Sequence, residues 1–142
     1  MKSVGLVYWS GGGNTEAMAE ALKEGFTAAG ADLYFSPVGE ADAAEFFSKD
    51  LLVLGSPACG TEEIDDTEMQ PFIDDNADSF NGKDLFLFGS FGWGGGQFAQ
   101  DWKDRMESDH SANVVADPIT CLEAPEDDTL NELKAKAEEL VK

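Results

Sequence analysis

Two runs of this chain, Leu51-Leu52-Val53-Leu54 and Leu85-Phe86-Leu87-Phe88, are apolar at every position. A strand with one wet face alternates apolar and polar residues, so an unbroken run points to a strand covered on both faces. Strands of that kind belong to parallel sheets, whose crossover connections lay helices on each side. Strands are therefore expected at 51–55 and 85–90. Residues 4–8 and 32–35 fit the same role, as does a last stretch, 113–121, which Asp117-Pro118 should kink or break.

Between these runs the apolar residues take helical spacing. Ala17, Ala21, Leu22 and Gly25-Phe26 stripe a helix over 16–29, and Phe46-Phe47 anchor a short second one. Met69, Phe72 and Ile73 mark a third, with Pro71 tolerable only in its first turn. Phe98, Trp102 and Met106 recur every four residues in a fourth. Leu130, Leu133, Ala137 and Leu140-Val141 form a fifth, opened by Pro125 and acidic residues. The alternation predicts one α/β domain over residues 1–142, a doubly wound parallel sheet of five strands with right-handed crossovers and helices on both faces.

A sheet of this kind binds ligands beyond the carboxyl ends of its strands, which selects three loops. The first is Ser10, Gly11, Gly12, Gly13, Asn14 and Thr15, between a strand and a helix. Glycines let a ligand approach backbone N–H groups at a helix N-terminus, where the dipole favours an anion. Read alone, these residues fit an anion cradle and an ordinary tight turn equally. A Walker loop would need Gly-Lys-Ser/Thr, but no Lys or Arg lies between Lys2 and Lys23. A dinucleotide fingerprint would need a third glycine where Glu16 stands. What remains is a terminal phosphate held by neutral donors, with Ser10, Asn14 and Thr15 adding side-chain groups. The second loop, 56–66, is small and turn-rich, then acidic. In the third, 91–97, Trp93 stands alone among glycines, which at this end of the sheet suits a flat ligand stacked on the indole better than it suits an ordinary surface tryptophan.

Charge narrows the partners. Against 29 Asp and Glu stand 9 Lys and Arg, a formal net charge of −20. Such a surface repels nucleic acid and anionic membranes, so neither is expected. The total alone fits a solubility or salt adaptation as readily as a functional one. No apolar run reaches the length of a membrane span and no signal-peptide pattern opens the chain, so a cytoplasmic location is expected. Cys59 and Cys121 lack metal or redox-motif spacing and are expected as reduced thiols. His110, in a polar stretch, is expected on the solvated surface, and no metal site is readable.

Taken together, the three loops resemble those of flavodoxins, specifically the short-chain kind found in anaerobic bacteria. Tyr8-Trp9-Ser10-Gly11-x-Gly13-Asn14-Thr15-Glu16, Leu54-Gly55-x-Pro57-Ala58-x-Gly60, Leu87-Phe88-Gly89-Ser90-x-Gly92-Trp93-Gly94 and the 118–125 region match in order and spacing, over essentially the whole chain. The resemblance implies the flavodoxin-like strand order 2-1-3-4-5 and a non-covalently bound flavin mononucleotide (FMN). Its 5′-phosphate would sit on the amides of 10–15. Its ring would lie between the Cys59-Gly60 turn and Trp93, with Ser56, Pro57, Ala58, Thr61 and Glu62 on one side and Ser90, Phe91, Gly92 and Gly94 on the other. The implied function is one-electron transfer at low potential between redox enzymes, by a monomer that docks on basic faces of its partners.

Family likeness also assigns roles within the second loop. The peptide after Gly60 would turn its carbonyl toward N5 of the ring, Thr61 would tune that turn, and Glu62 would bond the pyrimidine edge. Glu62, Glu63, Asp65, Asp66, Glu68, Asp74, Asp75 and Asp78 make an acidic run without a base. One carboxylate about 10 Å from a reduced, anionic ring repels it by roughly 1.7 kcal/mol before screening, at an effective dielectric of about 20. Three positions depart from the family pattern: Gly12 replaces a usual threonine, Cys59 a methionine, and Glu123 a common asparagine near the ribityl chain. Two other classes fit the residues less well. An FMN-dependent reductase, or a flavin-based activator of a metalloenzyme, lacks a candidate general acid or nicotinamide site. A phosphoryl-accepting receiver module would need acidic residues after the first strand, an Asp after the third and a Lys after the fifth, where Ser10-Gly11, Ser56-Pro57 and Cys121-Leu122 stand.

Overall fold

The computed structural model describes residues 2–59, 63–92 and 96–141. Its strands are β1 (Ser3–Tyr8), β2 (Asp32–Pro37), β3 (Leu51–Gly55), β4 (Asp84–Phe91), β5 (Asn113–Val114) and β6 (Ile119–Leu122). The helices are α1 (Asn14–Ala28), α2 (Ala43–Phe47), α3 (Met69–Asp75), α4 (Gln97–His110) and α5 (Asp127–Leu140). All the strand pairings are parallel, in the order β2-β1-β3-β4-β5, with β6 also on β4. This is the doubly wound order 2-1-3-4-5, its fifth place shared by two short strands. β5 pairs Asn113 and Val114 with Asp84 and Leu85, and β6 pairs Ile119–Leu122 with Phe88–Phe91. Pro118 has no N–H to give a ladder, and the predicted single strand breaks beside it.

The apolar runs do what their pattern demands. Leu51, Val53, Phe86 and Phe88 face one core layer with Met18, Leu22 and Phe26 of α1 and Leu133 and Ala137 of α5. Leu52, Leu54, Leu85 and Leu87 face the other, with Phe46 of α2, Met69 and Ile73 of α3, and Phe98, Trp102 and Met106 of α4. Each buried Leu or Phe contributes about 1.5–3 kcal/mol of transfer free energy, so the alternation locks the strand register from both sides. Pro71 lies in the first turn of α3, where its missing N–H leaves no helical bond unmade.

Two expectations shift. Helix α1 starts at Asn14, two residues earlier than periodicity suggests, because Gly13 takes a left-handed φ of 94° and closes the loop at once. His110 is half-buried rather than solvated. It ends α4 over the 77–80 turn, with Nδ1 3.3 Å from the Ala77 carbonyl oxygen and its ring centroid 5.9 Å from that of Phe80. Among the described residues no helix is long and apolar enough to cross a membrane.

Candidate functional site

The carboxyl ends of β1, β3, β4 and β6 bring Asn14, Pro57, Ala58, Ser90, Phe91, Gly92 and Glu123 around one cavity of about 190 Å³. The glycine loop forms its wall on the β1 side. Ser10 Oγ accepts the N–H groups of Gly13 at 3.0 Å and Glu16 at 3.3 Å, which folds the loop back on the start of α1. Among the described residues, the N–H groups of Gly11, Gly12, Asn14 and Thr15 have no protein acceptor. Gly11, Gly12 and Gly13 are exposed and Asn14 half-exposed, so these donors open toward solvent at a helix N-terminus. Thr15, by contrast, is buried, and its hydroxyl lies 3.2 Å from the buried Ser90 hydroxyl. That pair ties the first turn of α1 to the end of β4 instead of facing outward.

The second loop is framed by hydrogen bonds at its base. Ser56 is fully buried; its hydroxyl donates to the Pro57 carbonyl at 3.0 Å and accepts the Asp65 N–H at 2.9 Å. Its side chain thus clamps the base of the loop. The Ala58 N–H donates to the Ser90 carbonyl at 2.8 Å, which zips this loop to β4. Cys59 and Glu63 exchange both backbone bonds, at 2.6 and 3.2 Å. Cys59 is half-buried, and burial, followed by the nearby Asp65 and Asp66, pushes its thiol pKa up. A thiol in this setting stays protonated at neutral pH. The roles expected of Gly60, Thr61, Glu62, Trp93 and Gly94 fall outside the described residues.

Among the described residues the acidic run is not uniformly exposed. Asp65 is 3% exposed. Its carboxylate accepts the Glu68 N–H at 2.7 Å, the Met69 N–H at 2.9 Å and the Thr67 hydroxyl at 2.7 Å. Burial alone would raise its pKa, but the bonds from Met69, Thr67 and Glu68 outweigh it and hold the carboxyl below its ordinary value. Glu68 Oε1 accepts the Trp9 indole N–H at 3.1 Å. Asp65 is thus turned inward as a loop anchor, while Glu68 stays exposed and is tied to Trp9. Sequence reasoning missed Trp9, Asp65 and Glu68 as site supports. The signal was present: an Asp three residues before a Glu, just ahead of an apolar run, has the spacing of a capping box.

The Flavodoxin family model matches residues 6–139. The flavodoxin of Megasphaera elsdenii is 43% identical over 137 residues, 94% of this chain and 99% of that one. That of Clostridium beijerinckii is 37% identical over 122 residues, 86% of this chain and 88% of its own. The solution structure of two-electron reduced Megasphaera elsdenii flavodoxin superposes with a TM-score of 0.80 at 38% identity, covering 96% of this chain and 98% of that one. With the match spanning nearly every described element and both flanks of the cavity, the chain belongs to the flavodoxin family of FMN-binding electron carriers.

Proposed function

We propose that this chain shuttles single electrons at low potential, with FMN lying across the loops that follow β1, β3 and β4. One observation carries the placement: the four unpartnered N–H groups of Gly11, Gly12, Asn14 and Thr15 at the start of α1, with no Lys or Arg in the loop. A phosphate dianion fits that donor set, because several amides and a helix dipole can hold it without a counter-ion. The ring is assigned to the space between the Cys59 turn and the segment after Gly92. There the half-buried Cys59, Ala58 and Phe91 offer apolar walls.

When bound, FMN supplies one-electron chemistry; the chain supplies position and field. Its Ser56 and Asp65 bonds hold the base of the second loop in place. Its net charge of −20 opposes the build-up of negative charge nearby, which favours giving up an electron. The partners fitting such a carrier are redox proteins with basic faces. We assign it a single domain, a monomeric state and a cytoplasmic location, with no substrate turned over by the chain itself.

Titrating the apoprotein with FMN, and with riboflavin, which lacks the phosphate, tests the placement. FMN is expected to bind one per chain with quenched fluorescence and a raised Tm, and riboflavin about a hundredfold more weakly. Gly12→Thr sharpens the test. A Cβ at Gly12 meets nothing within 4 Å and its φ is not left-handed, so threonine fits and adds a hydroxyl donor. A hydrogen bond to a charged group contributes about 1.5–3 kcal/mol, so the Kd for FMN should fall roughly tenfold or more while that for riboflavin stays put. Equal affinities for the two flavins would refute the phosphate loop.

A further inference from the structure

The phosphate loop has little beneath it. A Cβ built at Gly12 or Gly13 meets nothing within 4 Å, and the loop's outer side faces a cavity of about 380 Å³ rimmed by Glu16, Glu40 and Glu68. Glycines lose the most conformational freedom when ordered, so a loop of three of them is costly to hold in one shape. Among the described residues, the side chain that fills space under the loop is Trp9: a Cβ at Gly11 would come within 2.9 Å of its ring. The backbone of Trp9 is fixed where its N–H donates to the Gly55 carbonyl at 2.9 Å. The outer edge of its indole is fixed where Nε1–H donates to Glu68 Oε1 at 3.1 Å. Glu68 in turn is anchored through its own N–H on the buried Asp65 carboxylate. Asp65, Glu68, Trp9 and Gly11 thus form one continuous series of contacts, running from the second loop to the first.

We propose that Glu68 is a positioning residue for phosphate binding: through the indole of Trp9 it holds Gly11, and with it the loop's free N–H groups, in the arrangement that receives the dianion. The proposal rests on the phosphate placement given above. Charge alone argues the opposite sign. A carboxylate beside a phosphate site repels the dianion, so on electrostatic grounds its removal should tighten binding. Positioning requires that removal weaken it.

The experiment measures the Kd for FMN and for riboflavin, with the apoprotein Tm as a control, in wild type, Glu68→Ala, Glu68→Gln, Trp9→Phe and Trp9→Phe/Glu68→Ala. Glu68 is exposed, so its truncation leaves the core intact. Glu68→Ala is expected to raise the Kd for FMN about tenfold, the worth of one hydrogen bond, with the Kd for riboflavin within about twofold of wild type. Glu68→Gln loses the charge but keeps an acceptor oxygen, and it should bind FMN at least as tightly as wild type. Trp9→Phe removes both the N–H and the outer ring atoms that lie against Gly11; it should weaken FMN binding at least as much as Glu68→Ala, and the double variant should be no worse than Trp9→Phe alone. Tighter or unchanged FMN binding by Glu68→Ala overturns the proposal, as does an equal loss for riboflavin. A wild type that does not prefer FMN over riboflavin would instead remove the phosphate placement itself.

Discussion

Glu123, on the rim of the cavity, holds φ at +56° and donates its N–H to the Phe91 carbonyl at 2.7 Å. A side chain in the left-handed region costs about 1–2 kcal/mol, and asparagine tolerates it better than most residues. The asparagine common at this place in flavodoxins therefore has a backbone reason, which glutamate does not meet. Glu123→Asn is expected to stabilise the apoprotein by roughly 1 kcal/mol, seen as a higher urea midpoint with an unchanged slope. An unchanged or lower midpoint would mean that the turn is not strained. Trp102 shows another local compromise: its ring is 1% exposed in the α4 layer while its indole N–H finds no acceptor among the described residues. An unmet buried N–H costs about 1–3 kcal/mol, which the packing of so large a ring offsets.

Helix α3 has seven residues and no acidic side chain in its own first turn, so its start depends on what precedes it. Asp65 meets that need by taking the N–H groups of Glu68 and Met69. Because its carboxyl sits below the ordinary range in the folded chain, its stabilisation is complete above the unfolded-state pKa and fades as pH falls through the folded one. Asp65→Ala should cost about 1–2 kcal/mol near neutral pH. Its deficit against wild type should shrink as pH falls below the ordinary carboxylate range and the wild-type carboxyl takes up its proton. Urea unfolding of both forms across that range decides it; a deficit independent of pH would assign the loss to packing. The same helix marks where sequence reading stops. The unbroken apolar runs announce the strands, and Pro118 announces the break between β5 and β6. The letters 65–68 carry the capping spacing, but only the fold shows Asp65 turned inward, with its N–H held by the buried Ser56 hydroxyl across the loop. The cofactor loops were legible as motifs, while the contacts that support them were not: Trp9 packs against Gly11, and its indole N–H meets a partner 59 positions away.

For the molecule as a whole, charge is the dominant strain. The ion pairs among the described residues occupy Lys49, Lys103, Lys134 and Lys136, which leaves most of the 29 acidic side chains without a cation. Self-repulsion of that size opposes the compact state and is screened once the Debye length falls to about 10 Å, near 0.1 M salt. The Tm of the apoprotein should therefore climb by several degrees between about 10 mM and about 0.5 M sodium chloride; a flat or falling Tm would show that the repulsion is already relieved. The junction of α1 with α5 bears on how such a chain is made. Gly25 lets the helices meet so closely that a Cβ there would lie 2.6 Å from the Lys134 carbonyl oxygen. During synthesis α1 emerges early with Met18, Leu22 and Phe26 ready for burial, yet the surface that completes their cover comes only with Leu133 and Ala137. Until then the nascent domain shows the translation machinery an open apolar stripe. The cover of that stripe is thus the last part of the core layer to be supplied, by the most distant described helix.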